Sequence, residues 1–124
     1  MPISFRYDDR QNLLLTEASG SLSFDDIQRH LKAEHRARYL GSPELVDATR
    51  ASTTLTSEQV KQLVQELKAL ARKNAFGPTA VVTNNDVVFG MTRMLAIISE
   101  LQHGPVVGVF RTMAEGLDWL TQTS

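Results

Sequence analysis

The stretch ELVDATRASTTLTSEQVKQLVQELKALARKNA, residues 44–75, decides the fold. An apolar run at 45–48 is typical of a short buried strand, and the polar residues 49–54 that follow predict a loop. Thr56 and Gln59 have the spacing of a capping box, which predicts a helix that opens at Thr56. Apolar residues then recur at helical spacing. A strand that leads through a loop into an amphipathic helix is half of a parallel βαβ unit.

The rest of the chain adds strands and helices around this unit. Alternating or continuous apolar runs predict five strands, at 3–8, 13–18, 45–48, 79–83 and 105–110. Capping residues followed by apolar residues at helical spacing predict four helices, which open at Ser23, Thr56, Asp86 and Thr112. The order ββαβαβαβα over residues 1–124 predicts a single α/β domain. It is a sandwich with a mainly parallel sheet and an antiparallel N-terminal hairpin.

The apolar faces of the last two helices can also be predicted. In the third helix an arc of six apolar side chains is expected to face the sheet: Val87, Met91, Met94, Leu95, Ile98 and Leu101. Phe89 falls on the opposite side, near Arg93. We expect this large aromatic side chain to pack against a loop, touch a ligand or face a partner subunit. In the last helix Met113, Leu117 and Leu120 are expected to face inward.

The composition argues against several classes of function. Thirteen Lys and Arg against fourteen Asp and Glu give a net charge of −1, so nothing points to nucleic acid or an anionic membrane. The absence of cysteine excludes disulfides, thiolate nucleophiles and cysteine metal sites. No apolar stretch is long enough to cross a bilayer, and residues 1–10 do not resemble a signal peptide. We therefore expect a cytoplasmic protein with no nucleic-acid partner and no membrane insertion.

Three motifs distributed along the chain resemble one known group of proteins. They are LVD at 45–47, FGMTRM at 89–94 and VFRTMAEGLDWL at 109–120. On these residues the chain resembles the SpoIIAA-like group of small bacterial proteins. Their fold is related to the STAS domain of anti-sigma-factor antagonists and to CRAL-TRIO lipid-binding domains. The resemblance covers nearly the whole chain and implies a SpoIIAA/STAS-like fold. It implies little about function, because a shared fold does not fix an activity.

The phosphorylation site of STAS antagonists can be compared residue by residue. In those proteins Asp-Ser-Ser-Gly stands at a helix N-terminus, and a serine in it is phosphorylated. The matching segment here is LTSE at 55–58, which puts Ser57 at the acceptor position but lacks the rest of the motif. Thr56 and Ser57 are better interpreted as a helix cap. Ser57 as a phosphoacceptor is the weaker alternative.

A ligand site is expected beyond the carboxyl ends of the parallel strands, where open α/β sheets bind their ligands. The polar residues predicted at that edge are Asp47, Thr49, Arg50, Asn84, Asn85 and Arg111. Such a set suits a small polar or anionic ligand. The alternative, which we favour, is that these residues cap helices and satisfy loop amides.

The sequence contains no recognisable catalytic constellation. His30 and His35 are five residues apart, which is not the four-residue spacing that puts two metal ligands on one helix face. There is no glycine-rich phosphate loop and no nucleophile elbow. We therefore predict no catalytic residue, no metal and no cofactor.

Three hypotheses for function follow from these observations. The first is a non-enzymatic STAS-like regulatory or protein-interaction module that forms a homodimer through the surface of Phe89 and Arg93 or through an edge strand. The second is a carrier of a small molecule or lipid, with Met91, Met94 and Met113 lining an adaptable pocket. The third, ranked last, is an enzyme that uses the predicted polar edge of the sheet.

Overall fold

One mixed sheet of five strands forms the centre of the computed structural model, which describes residues 2–123 apart from the side chains of residues 35 and 36. The strands lie side by side in chain order: β1 (Ile3–Asp8), β2 (Leu13–Leu22), β3 (Glu44–Thr53), β4 (Thr79–Val82) and β5 (Val107–Phe110). The β1–β2 pair is antiparallel, and the other pairs are parallel. The helices are α1 (Phe24–Ala37), α2 (Ser57–Lys73), α3 (Asp86–Leu101) and α4 (Met113–Thr123). The predicted order and mixed sheet are confirmed.

The two faces of the sheet carry different helices. Because the parallel strands follow chain order, right-handed crossovers place α1, α2 and α3 on one face. There Val46 of β3 packs in a cluster with Val88 of α3. The final helix, α4, covers the other face. A Cβ atom added at Gly116 would lie 3.0 Å from Leu45 Cδ1 and 3.1 Å from Val82 Cγ2, so α4 lies unusually close to the sheet. We call the first face the three-helix face.

The second half of β3 differs from the sequence prediction. Residues 49–53 continue the strand instead of forming a loop. They pair with the end of β2, which itself continues to Leu22 after a register shift just before Ser19. The pairing of β3 with β4 ends at Asp47, so the second half of β3 has β2 as a neighbour on one side only. Polar side chains are tolerated there, and because of them the sequence pattern of residues 49–53 predicted a loop.

The predicted helix caps are confirmed. Thr56 Oγ1 accepts a hydrogen bond from Gln59 N, and Gln59 Oε1 accepts one from Thr56 N, which completes a capping box at the start of α2. Ser23 and Asp26 make the same reciprocal pair at the start of α1. The hydrogen bond from the Ser23 backbone holds the pKa of Asp26 below its usual value. Ser57 is the first residue of α2, and its phosphorylation stays a prediction.

The predicted inner face of α3 is only partly correct. Val87 and Leu101 are 55% and 75% exposed, whereas Val88 and Ser99 are buried. The helix packs on α2 and β5, and one flank of its wide apolar arc remains outside these contacts. Ser99 is accommodated inside because its Oγ donates a hydrogen bond to Pro105 O at 2.6 Å, which ties the end of α3 to the segment before β5.

The predicted inner face of α4 needs a similar correction. Leu120 is buried, but Met113 and Leu117 are exposed. The helix packs on the sheet through Gly116, where the missing side chain lets its backbone approach Leu45. Among the described residues, no helix has the length and apolar character needed to span a bilayer.

Candidate functional site

The polar residues predicted at the carboxyl edge of the sheet are partly brought together. Asp47 is in register with Val82 of β4, the last residue of that strand, so it lies at the same end of the sheet as Asn84 and Arg111. Thr49 and Arg50 lie further along β3, in the part that pairs with β2 alone.

Two of these residues have local structural roles. Asp47 Oδ1 accepts hydrogen bonds from the amide and hydroxyl of Thr49, at 3.0 and 2.7 Å. Asn85 is the N-cap of α3, and its Oδ1 accepts hydrogen bonds from Val87 N and Val88 N. These contacts agree with the capping alternative, and ligand binding by this set stays a prediction.

The position of Phe89 is explained by Arg111. The Arg111 Cζ atom lies 4.0 Å from the centroid of the Phe89 ring, a cation–π contact, and Nη2 donates a hydrogen bond to Asp86 Oδ1 at 2.9 Å. Phe89 therefore packs against the loop after β5, which is one of the three expected outcomes. Arg93 is exposed, and an interface through Phe89 and Arg93 stays a prediction.

An apolar cavity of about 180 Å³, partly open to solvent, lies on the three-helix face of the sheet, between the strands and α1, α2 and α3. Apolar side chains from all five strands and three helices line it, among them Ile3, Ala18, Val46, Ala48, Val81 and Val107 from the sheet and Ile27, Leu31, Val60, Leu63, Val88 and Leu95 from the helices. Met91 also lines the cavity, whereas Met94 and Met113 are not among the described residues that line it.

Few polar groups face this cavity. The hydroxyl of Thr53 donates to Leu22 O at 3.1 Å, and that of Thr92 donates to Val88 O at 2.8 Å. Both hydroxyls are thus satisfied by the main chain. Glu44 is the ionisable residue of the lining. The cavity therefore suits an apolar ligand, with one acidic side chain on its wall.

Glu44 belongs to a buried cluster at the amino-terminal end of β3. Its Oε2 atom lies 2.9 Å from His30 Nε2, and His30 Nε2 also makes an ion pair with Glu34 Oε1, one turn further along α1. Thr16 Oγ1 of β2 donates a hydrogen bond to Glu44 Oε2 at 2.5 Å. The side chains of His30, Glu34 and Glu44 are 10%, 3% and 7% exposed. We call these three residues the His–Glu–Glu cluster.

The cluster shifts the pKa values of His30 and Glu34. Burial raises the pKa of Glu34 to about 7, and the nearby Glu44 carboxylate acts in the same direction, whereas His30 opposes it. For His30, burial acts to lower the pKa, but hydrogen bonds and charges from both carboxylates outweigh it and raise the pKa to about 9. At neutral pH His30 is therefore an imidazolium.

The sequence pattern does not predict the cluster, because the two nearby histidines, His30 and His35, lack the spacing of metal ligands on one helix face. The His35 side chain lies outside the described residues. Two signals pointed to the cluster. His30 and Glu34 have the four-residue spacing that puts side chains on one helix face. Glu44 is a charged residue next to the apolar run of β3, a position that faces inward if the strand begins one residue earlier.

Comparison with known proteins supports the fold. No protein-family model matches the chain, and no curated protein sequence does. Among solved structures, the chain is similar to an uncharacterized protein from the DUF3478 family with a SpoIIAA-like fold, from Shewanella loihica PV-4. The TM-score is 0.59 with 19% sequence identity, over 95% of this chain and 93% of that chain. At this identity the likeness shows the fold alone. The expected SpoIIAA-like fold is confirmed, and no activity comes with it.

Proposed function

We propose that this SpoIIAA-like chain is a non-enzymatic, cytoplasmic binding module. It holds a small apolar ligand on the three-helix face of its sheet, between the strands and the helices. The observation that carries the proposal is the cavity of about 180 Å³. Packed protein interiors contain few voids larger than a water molecule. A void of this size, lined by side chains of both the sheet and the helices, can hold a small ligand.

The size of the cavity limits the ligand. An apolar cavity of about 150 Å³ is large enough for benzene, whereas sites for drug-sized ligands span about 300–1,000 Å³. The cavity measures about 180 Å³. It therefore suits a single aromatic ring with a small substituent, or a short branched chain. A whole lipid exceeds this volume, so the proposal concerns a small ligand.

The hydrophobic effect also favours an occupant. The cavity is partly open to solvent, so apolar groups on its wall contact water when it is empty. A ligand that covers this wall gains about 25 cal/mol for each Å² of apolar surface removed from water.

Thermal unfolding with small aromatic probes tests the proposal. Toluene or indole at about 10 times its Kd should stabilise the protein by roughly 1.4 kcal/mol and raise the Tm by several degrees. The same probes should have little effect on Ala48→Leu, which puts a larger side chain into the cavity. If no probe raises the Tm of the wild type up to its solubility limit, the proposal is wrong.

A second candidate function, protein interaction through a homodimer, is favoured by exposed apolar side chains near β5. Val87, Ile97 and Leu101 are exposed and lie within about 80° of arc on α3. Val106, next to β5, is also exposed. β5 is the last strand of the sheet order, so one edge of it is free to pair. Apolar surface beside a free strand edge is typical of an interface.

Sedimentation of the wild type and of Leu101→Lys tests this second candidate. A concentration-dependent dimer that Leu101→Lys abolishes supports it. Lys73→Ala, an exposed position at the end of α2 that removes no apolar surface from α3 or β5, is the control. A wild type that remains monomeric at millimolar concentration contradicts it.

A further inference from the structure

The His–Glu–Glu cluster has the geometry of a metal site. Each of its residues offers one ligand atom, and these three atoms lie within 4.8 Å of one another. The residues come from two elements, with His30 and Glu34 on α1 and Glu44 on β3. Such a convergence of an imidazole and two carboxylates inside a protein is uncommon, because buried charges must be paired or must coordinate a metal.

The distance between His30 and Glu44 suits a first-row divalent ion. Such an ion binds imidazole nitrogen at about 2.0–2.1 Å and carboxylate oxygen at about 2.0–2.2 Å. Two ligands at right angles around it are then about 3 Å apart. His30 Nε2 and Glu44 Oε2 are 2.9 Å apart. These two atoms can therefore accept an ion as neighbouring ligands.

Glu34 turns the third ligand atom toward the same nitrogen. Its Oε1 atom is buried and is ion-paired with His30 Nε2, the atom that also contacts Glu44 Oε2. Two buried carboxylates thus converge on one imidazole nitrogen, and buried charges of this kind must be paired or must coordinate a metal. An ion that replaces the proton on His30 Nε2 can bind all three side chains after a small movement of Glu34.

The residues around the cluster hold the ligand atoms in place. The hydrogen bond from Thr16 Oγ1 orients the Glu44 carboxylate. The Phe5 ring packs edge-to-face on the His30 imidazole, with centroids 5.6 Å apart, and Phe5 itself packs on Tyr39. Neighbours that orient the ligands are a regular feature of metal sites and tune their affinity.

We propose that His30, Glu34 and Glu44 bind a first-row divalent transition-metal ion such as Zn²⁺ or Mn²⁺. One imidazole and two carboxylates suit these ions, whereas Cu⁺ prefers sulfur ligands and Ca²⁺ takes more oxygen ligands than the cluster offers. His30 binds the ion as a neutral imidazole and Glu34 as a carboxylate, so the ion displaces their protons into solvent, and its two positive charges balance the two carboxylates. Solvent fills the remaining coordination positions. The site is separate in function from the apolar cavity, although Glu44 borders both.

Equilibrium dialysis with elemental analysis tests the site. Untagged protein is stripped with a chelator and then dialysed against Zn²⁺, Mn²⁺ or Co²⁺ alone, without any apolar probe, so the result is independent of the cavity proposal. The wild type should bind about one ion per chain. Glu34→Gln and Glu44→Gln should reduce the affinity at least about 100-fold, and Thr16→Val about 10-fold. His103→Asn, an exposed histidine with a φ of +58° that asparagine tolerates, should bind like the wild type.

Two results of the dialysis would overturn the proposal. One is a wild type that binds no ion at about 100 μM free metal. The other is unchanged binding in folded Glu34→Gln and Glu44→Gln proteins, which would place the ion on the surface. Circular dichroism confirms that each variant is folded. Anomalous diffraction from wild-type crystals grown with Zn²⁺ locates the ion without any variant, and a peak away from His30, Glu34 and Glu44 also contradicts the proposal.

Discussion

Replacing Ala48 by leucine should stabilise the protein, because the new side chain enters the apolar cavity. Ala48 is buried on the three-helix face of β3 and lines the cavity. Leucine adds three carbons, each worth about 0.8 kcal/mol when buried, and loses about 0.5–1 kcal/mol of rotamer entropy. The expected net gain is about 1.5 kcal/mol, or roughly 5 °C in Tm for a domain of this size.

The matched control is Ala80→Leu on the other face of the sheet. Ala80 is fully buried and packs where α4 approaches most closely, and a Cβ atom added at Gly116 would lie 3.6 Å from Ala80 Cβ. The same three carbons have no space there, so we expect a loss of about 1–3 kcal/mol or more from overpacking. The two variants thus differ in the sign of the effect.

Urea unfolding followed by circular dichroism measures both variants against the wild type. The midpoint should rise for Ala48→Leu and fall for Ala80→Leu, with similar slopes. If Ala48→Leu is destabilised as much as Ala80→Leu, the space between the sheet and the helices is already filled, and the reasoning about the cavity is refuted.

Three further predictions concern the rest of the fold. Gly116→Ala should cost about 1–3 kcal/mol in the free energy of unfolding, because the new Cβ would lie 3.0 Å from Leu45 Cδ1. If the variant is as stable in urea as the wild type, α4 does not pack so closely. Thr56→Ala should cost about 1 kcal/mol by removing the cap of α2, and Thr56→Ser, which keeps the hydroxyl, should recover most of it. In metal-free protein the pKa values of His30 and Glu34 are raised above 6.5 and 4.5, to about 9 and 7. Their contribution to the free energy of unfolding is therefore fully present below about pH 4.5 and is lost as the pH rises through 7 and 9. In a series of thermal melts at different pH, Glu34→Gln should reduce the change in Tm around pH 7.

The fold was largely predictable because its elements are signalled locally. The capping residues Thr56 and Ser23 mark helix starts through hydrogen bonds to residues three positions away, and these bonds are present in the structure. The second half of β3 was not predictable in this way. Its polar residues 49–53 are in a strand because β2 continues alongside them, and that pairing is a tertiary contact.

The candidate sites were less predictable, because they depend on distances between layers. The cavity arises where side chains of the sheet and of three helices fail to fill the space between them, and no single stretch of sequence encodes that gap. The His–Glu–Glu cluster joins α1 to Glu44 of β3, 10 residues beyond Glu34. The helical spacing of His30 and Glu34 is visible in the sequence, but the approach of Glu44 depends on how α1 packs on the sheet. The exposed side of α3 was misassigned at Val87 and Leu101, because periodicity defines an apolar arc but not how much of it a neighbour covers.

A crystal structure with iodobenzene tests the central claim most directly, since the iodine gives an anomalous signal and the ring has the size of the cavity. We predict one strong peak bounded by Val46, Ala48 and Met91, between the strands and the helices of the three-helix face. Protein side chains filling that space, with no peak there or with peaks on the surface alone, would contradict the claim that this chain holds a small apolar ligand.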